Sequence, residues 1–281
     1  MKIAWLLCAS TLLAETVLVD GKKIFYRAEG NGKETILFIH GWSCNETFFL
    51  PQREGLSKSY RVIALDLPGH GKSESFDRYS IDLFVRAVEA VRVKENAGRP
   101  WLVAHSMGAV VAREFGKKNP GLARGFVFVD GSIFRLPPDE AGRERWKQMM
   151  ENLAQRFSPA LEKQVRERNV SEFLGNLYAD ATPTEFRLMI LGQILQTRPT
   201  TSEGAFRALA DLKLWDDAAL AQPVLFLRAG RQAPPGEEQY LRGLFPQLRY
   251  KFVPGVSHFL QLERPDEVTR DIAEFLRSVQ K

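Results

Sequence analysis

Five short stretches, TILFIH (35–40), RVIALD (61–66), WLVAH (101–105), GFVFVD (125–130) and PVLFLRAG (223–230), are apolar nearly throughout. A strand apolar on successive residues shows apolar side chains on both faces. Only a parallel sheet covered by helices on both sides buries them all. Between RVIALD and WLVAH, Ile81, Phe84, Val85, Val88 and Val91 fall on one helical face, as a crossover helix requires. LRYKFVPG (248–255) reads as a last strand and DEVTRDIAEFLRSV (266–279) as an amphipathic closing helix. Ahead of them, ETVLVDGKKIFYRAEG alternates around Asp20-Gly21 and predicts a β-hairpin. Strands alternating with helices predict a doubly wound α/β fold with a mostly parallel sheet.

The stretch 133–215 breaks this rhythm. It has no strand-like run and reads as several helices rich in Trp, Met, Phe and Leu, set between the sixth strand (counting the hairpin) and the seventh. The expected organisation is a core of 15–132 and 216–281 with 133–215 inserted. Hydrophobic residues at 44% and charged residues at 26% of 281 exclude a disordered chain. The net charge of +5 comes without any Lys/Arg run interleaved with aromatics, so no nucleic-acid partner is expected. MKIAWLLCASTLLAE has one Lys, an apolar stretch and Ala14 at a cleavage point. Residues 1–14 read as a signal peptide for export, with a cytoplasmic protein as the alternative. This stretch is too short to span a bilayer. Cys44, left without a partner if the leader is removed, reads as a small buried hydrophobe.

VAHSMGAVVAREFG (103–116) carries the clearest chemistry. A strand runs into Ser106 and a helix follows at once, which forces the serine into a strained turn and lifts its hydroxyl clear of the sheet. Small residues are needed two places to either side, and Ala104 and Gly108 supply them. The alternative for Ser106 is a helix cap. In FIHGWS (38–43), His40-Gly41 turns the chain, and the Trp42 amide joins the Met107 amide as a candidate pair of oxyanion donors. LDLPGHGKS (65–73) has glycines but neither common nucleotide fingerprint, and reads as a structural turn. Of the four histidines, His40 and His70 lie in glycine turns and His105 is set aside as pointing away from the serine. His258, past the last strand, is left as the general base. No metal-ligand spacing and no dinucleotide fingerprint occur, so neither metal nor cofactor is expected.

FIHGW, DLPGHGKS, VAHSMGA and VPGVSHFLQLERPDEV, in this order, resemble the α/β-hydrolase family of capped, esterase-like enzymes. The resemblance implies Ser106 as nucleophile, His258 as base, the amides of Trp42 and Met107 as oxyanion hole, and 133–215 as a helical cap. It also implies an acid after the seventh strand, at a position that is Ala233 here. Asp130, ending FVFVDGS, is the expected replacement, with a turn residue as its other reading. Glu237 and Glu238 follow as candidates, and a triad without an acid stands third. A serine at 106 argues against dehalogenases and epoxide hydrolases, which resemble this fold but form their ester on a carboxylate. The implied function is hydrolysis of a small to medium, partly apolar carboxylic ester through an acyl-enzyme. The same residues would serve a carbon–carbon bond hydrolase, an aminopeptidase, a perhydrolase or an acyltransferase, and the fold would also serve a non-catalytic ligand binder.

Overall fold

The computed structural model describes residues 13–279. Eight strands form one sheet: β1 (Leu13–Val19), β2 (Lys22–Glu29), β3 (Thr35–Ile39), β4 (Arg61–Leu65), β5 (Trp101–His105), β6 (Gly125–Val129), β7 (Val224–Gly230) and β8 (Leu248–Pro254). Their spatial order is β1-β2-β4-β3-β5-β6-β7-β8. β1 and β2 run antiparallel, and β2 also meets β4 antiparallel, whereas every pair from β4 to β8 is parallel. The hairpin turns through Asp20 (φ 48°) and Gly21 (φ 77°), the two positive angles that match a two-residue turn to the twist of its strands. The leader read from the sequence lies largely outside the described residues. β1 begins at Leu13, so a cut after Ala14 would take two residues from this edge strand.

The continuous apolar runs are used on both faces. On one, Leu37, Ile63, Leu102 and Phe128 pack with Phe84 and Val88 of α2 (Ile81–Lys94) and Phe115 of α3 (Met107–Lys118). On the other, Phe38, Val62, Val103 and Val127 pack with Leu56 of α1 (Leu50–Leu56) and with Ile272 and Phe275 of α10 (Pro265–Val279). Every residue of β3, β5 and β6 is buried. Four helices, α4 (Glu140–Gln155), α5 (Lys163–Gly175), α6 (Thr184–Ile194) and α7 (Pro199–Ala208), lie between β6 and β7. The loop after β7 stops short of the two further acid candidates. Gly236, with φ 73°, ends it, and Glu237 and Glu238 open α8 (Glu237–Leu244). A one-turn helix, α9 (Leu260–Glu263), precedes α10. Among the described residues, no helix is long and apolar enough to cross a membrane.

α3 starts almost in contact with β3. A Cβ on Gly108 would lie 2.4 Å from the Ile39 carbonyl oxygen and 2.7 Å from that of His40, both fixed backbone atoms. Alanine in place of glycine favours a helix interior by about 1 kcal/mol. Here that gain is outweighed, and Gly108→Ala is expected to destabilise the protein by about 1–3 kcal/mol in urea unfolding. A loss under about 0.5 kcal/mol would show that the helix and strand separate freely.

Candidate active site

Ser106 joins β5 to α3 at φ 53° and ψ −122°, a conformation that a residue with a Cβ rarely adopts. Its side chain makes no capping hydrogen bond, which removes the helix-cap reading. The half-buried hydroxyl lies 3.4 Å from Ser132 Oγ. Met107 is the first residue of α3, so its N–H has no acceptor within the helix. Gly41 sits against this turn: a Cβ there would lie 3.0 Å from the Ser106 Cβ and 2.9 Å from His105 Nδ1. His40 braces the same region from below. Its Nε2 accepts the Leu67 N–H at 2.9 Å and its Nδ1 donates to the Gly41 carbonyl at 2.7 Å, tying the turn after β3 to the turn after β4. Burial drives the His40 pKa well below the ordinary imidazole value, which keeps the ring neutral for this double role.

His258, in the loop between β8 and α9, presents Nδ1 to Asp130 Oδ2 at 2.5 Å. Asp130 directly follows β6 and is itself left-handed, at φ 44°, a region that aspartate tolerates better than most residues. Burial pushes its carboxyl pKa up, but the hydrogen bond and charge of His258, the charge of Arg228 and the Ala229 N–H outweigh it. The net effect holds the group below the usual carboxylate value. With Nδ1 engaged, Nε2 is the ring nitrogen left without this partner, and His258 and Ser106 line the same cavity. Of the three carboxylates considered from sequence, Asp130 alone meets the histidine. Glu237 pairs with Arg228 and Tyr250, and Glu238 pairs with Arg242.

One neighbour was set aside in the sequence reading and another was not considered there. His105 does not simply point away from the site. Its ring packs 4.6 Å from that of His258 and lines the same cavity, and its Nε2 lies 2.9 Å from the His258 carbonyl. Burial, then the nearby His258, lowers its pKa to about 3, so the neutral ring donates from Nε2. Arg228, hidden in the apolar run of β7, donates from Nη1 to Asp130 Oδ1 at 2.7 Å.

The cavity at Ser106 holds about 320 Å³ and takes its walls mainly from Trp42, Met150, Leu153, Phe173, Ile194 and Phe206. Trp42, Phe173 and Phe206 meet with Phe157 in an aromatic cluster with centroids 4.5–5.6 Å apart. The helices between β6 and β7 are fastened to both flanking loops. Trp42 Nε1 donates to the Ser202 carbonyl at 2.7 Å, Thr197 Oγ1 to the Ser43 carbonyl at 3.0 Å, and the His258 N–H to the Leu177 carbonyl at 2.8 Å. Cys44 is buried at the cavity wall, where burial raises its thiol pKa and leaves it a poor nucleophile. Among the described residues, no cluster of three or more His, Cys, Asp or Glu side chains is arranged to hold a metal ion.

Comparison with known proteins agrees with this architecture. Residues 36–271 match the model of the alpha/beta hydrolase family. The chain is similar to the (E)-2-((N-methylformamido)methylene)succinate hydrolase of Acinetobacter baylyi, with 32% identity over 140 residues. That match spans 49% of this chain and about half, 51%, of that hydrolase. It is also similar to the pimeloyl-[acyl-carrier protein] methyl ester esterase of Yersinia pseudotuberculosis, 25% identical over 92% of this chain and 100% of that protein. Among solved structures, a thermophilic esterase from Thermogutta terrifontis superposes with a TM-score of 0.77 at 21% identity, over 97% of this chain and 100% of that one, a likeness of fold. The chain belongs to the alpha/beta hydrolase family.

Proposed function

We propose that the protein hydrolyses a carboxylic ester through an acyl-enzyme on Ser106, with His258 as general base, Asp130 as its acid partner and 133–215 as a cap over the cavity. The observation that carries this reading is the 2.5 Å contact between His258 Nδ1 and Asp130 Oδ2, at a cavity shared with a serine held in a strained turn. Ser106 Oγ attacks the carbonyl carbon as its proton passes to His258 Nε2. Asp130 holds the ring in the required tautomer and stabilises the imidazolium. The amides of Trp42 and Met107 receive the developing oxyanion. The alcohol leaves with the proton from His258, and water repeats the sequence to release the acid.

The cavity supports an uncharged acyl group of modest size. Its volume of about 320 Å³ lies at the small end of the range for small-molecule pockets. Its charged lining residues, Asp130 and Arg228, are already paired with each other. The relative named as a methyl ester esterase, aligned along 92% of the chain, supports ester over other acyl chemistry.

A fluorophosphonate probe is expected to label Ser106, and His258→Ala is expected to abolish that labelling; an unlabelled wild-type protein would leave only a ligand-binding role. Against p-nitrophenyl esters of rising chain length, Asp130→Asn should lower turnover by a factor on the order of 10⁴, the loss measured in a related triad. Near-normal turnover would remove Asp130 from the mechanism. The same substitution has a second signature. Because the folded-state pKa of Asp130 lies below its ordinary value of 3.8, its ionised form stabilises the fold above about pH 4, and that contribution is lost as pH falls further. Urea midpoints between about pH 2 and 7 should therefore show an acid-side decline that is shallower in Asp130→Asn than in the wild type.

A further inference from the structure

Arg228 keeps its guanidinium inside the protein, 5.1 Å over the centre of the Phe226 ring. On one side, its Nη1 reaches Asp130 Oδ1 at 2.7 Å, an oxygen that also accepts the Ala229 N–H at 3.0 Å, while His258 occupies Oδ2. On the other side, Nε donates to Glu237 Oε2 at 2.8 Å and Nη2 to Glu237 Oε1, and the Tyr250 hydroxyl donates to Oε2 at 2.8 Å. The side chains of Asp130, Arg228 and Glu237 are only 9%, 13% and 11% exposed, so solvent screens this chain of charges weakly.

An arginine on the acid conflicts with the needs of the base. Proton transfer turns His258 into a cation, and a fixed cation beside Asp130 opposes that change. Glu237 removes the conflict. Asp130, Arg228 and Glu237 together carry one negative charge, the same as a carboxylate standing alone. We propose that Arg228 and Glu237 form a charge-balanced clamp: Arg228 fixes the Asp130 carboxylate towards His258, and Glu237 cancels the guanidinium so that Asp130 still supports the imidazolium. Both are positioning residues, acting through Asp130. This inference rests on the reading of Ser106, His258 and Asp130 given above.

The test is a charge-swap series measured as kcat and KM on p-nitrophenyl butyrate, with thermal midpoints alongside. Glu237→Gln, nearly isosteric, leaves Arg228 uncompensated and should lower kcat about ten- to a hundred-fold with KM within about two-fold, equivalent to one or two pKa units at the base. The double variant Arg228→Gln/Glu237→Gln restores the single negative charge and should recover at least about five-fold in kcat over Glu237→Gln. A purely structural network predicts the opposite, since the double variant loses more contacts. Arg228→Lys keeps the charge but not the fork that bridges two carboxylates, and should lower kcat at unchanged KM. It decides the matter alone should Glu237→Gln not fold, a wild-type kcat counting against the clamp. A double variant slower than Glu237→Gln, or Glu237→Gln at the wild-type rate, overturns the proposal. Asp130→Asn, run beside them, separates the two levels: if it is inactive while Glu237→Gln is normal, the clamp alone fails, and if it is normal, the acid assignment fails and the clamp with it.

Discussion

The close approach of three pieces of backbone at the end of β5 governs the rest of the molecule. α3 can begin directly after Ser106 only because Gly108 lets the helix rest on the carbonyls of Ile39 and His40, and because Gly41 leaves room for the His105 ring and the Ser106 Cβ. Several consequences follow from that contact. The serine is forced to φ 53°, the Met107 N–H is left at the open end of a helix, and the turn bearing Trp42 is brought beside it. His40 locks the arrangement with one neutral ring satisfied on both nitrogens. Strain at the turn is thus held by neighbouring packing, as it must be for a costly conformation to persist.

The meeting of Asp130 with His258 follows from strand adjacency. β6 is the immediate neighbour of β5, with Val129 in register with His105, so the residue after β6 emerges next to the residue after β5. Ser106 N–H donates to the Val129 carbonyl and Ser132 N–H to the Ser106 carbonyl, stitching the two strand ends together. β7 lies one strand further out. A carboxylate at the end of β6 therefore needs no long loop to reach the histidine, and its backbone is fixed by the Leu227 carbonyl, which accepts the Asp130 N–H at 2.7 Å. β7 contributes Arg228, whose Nη1 donates to the other oxygen of Asp130.

The parallel sheet was legible because five apolar runs have no other use, and the serine turn because strand, small-x-Ser-x-Gly and helix occur without a gap. His258 was singled out by elimination among four histidines, and it is the one whose ring meets Asp130. The acid stayed open, since sequence order does not say which carboxylate reaches a loop from the far end of the chain. What separates the candidates is the start of α8: Gly236 turns the chain so that Glu237 faces Arg228 and Tyr250 and Glu238 faces Arg242. Arg228 was invisible for a related reason. One charged residue in an apolar strand looks like an exposed end until its partners, 98 and nine residues away, are in view. His105 was misjudged because its position beside the serine was read as an orientation, whereas the His258 carbonyl gives its ring a partner on the near side.

The helices between β6 and β7 do more than enclose apolar space. Leu188 and Met189 of α6 remain exposed, so this region is not buried on all sides like the main core. Its hold on the sheet comes in part from a few directed hydrogen bonds at the site itself. Ser202 and Thr197 bind the turn of Trp42 and Ser43, and Leu177 binds the backbone of His258. A bond to the backbone of a loop fixes the position of that loop whatever side chains line the cavity. The same helices therefore set the shape of the apolar cavity through Met150, Leu153, Phe173 and Phe206, and the placement of Ser43 and of the His258 loop through hydrogen bonds to their backbones. Cavity shape and site geometry are coupled by construction. A side-chain change on the cavity wall can alter one alone, whereas displacement of the helices between β6 and β7 must alter both.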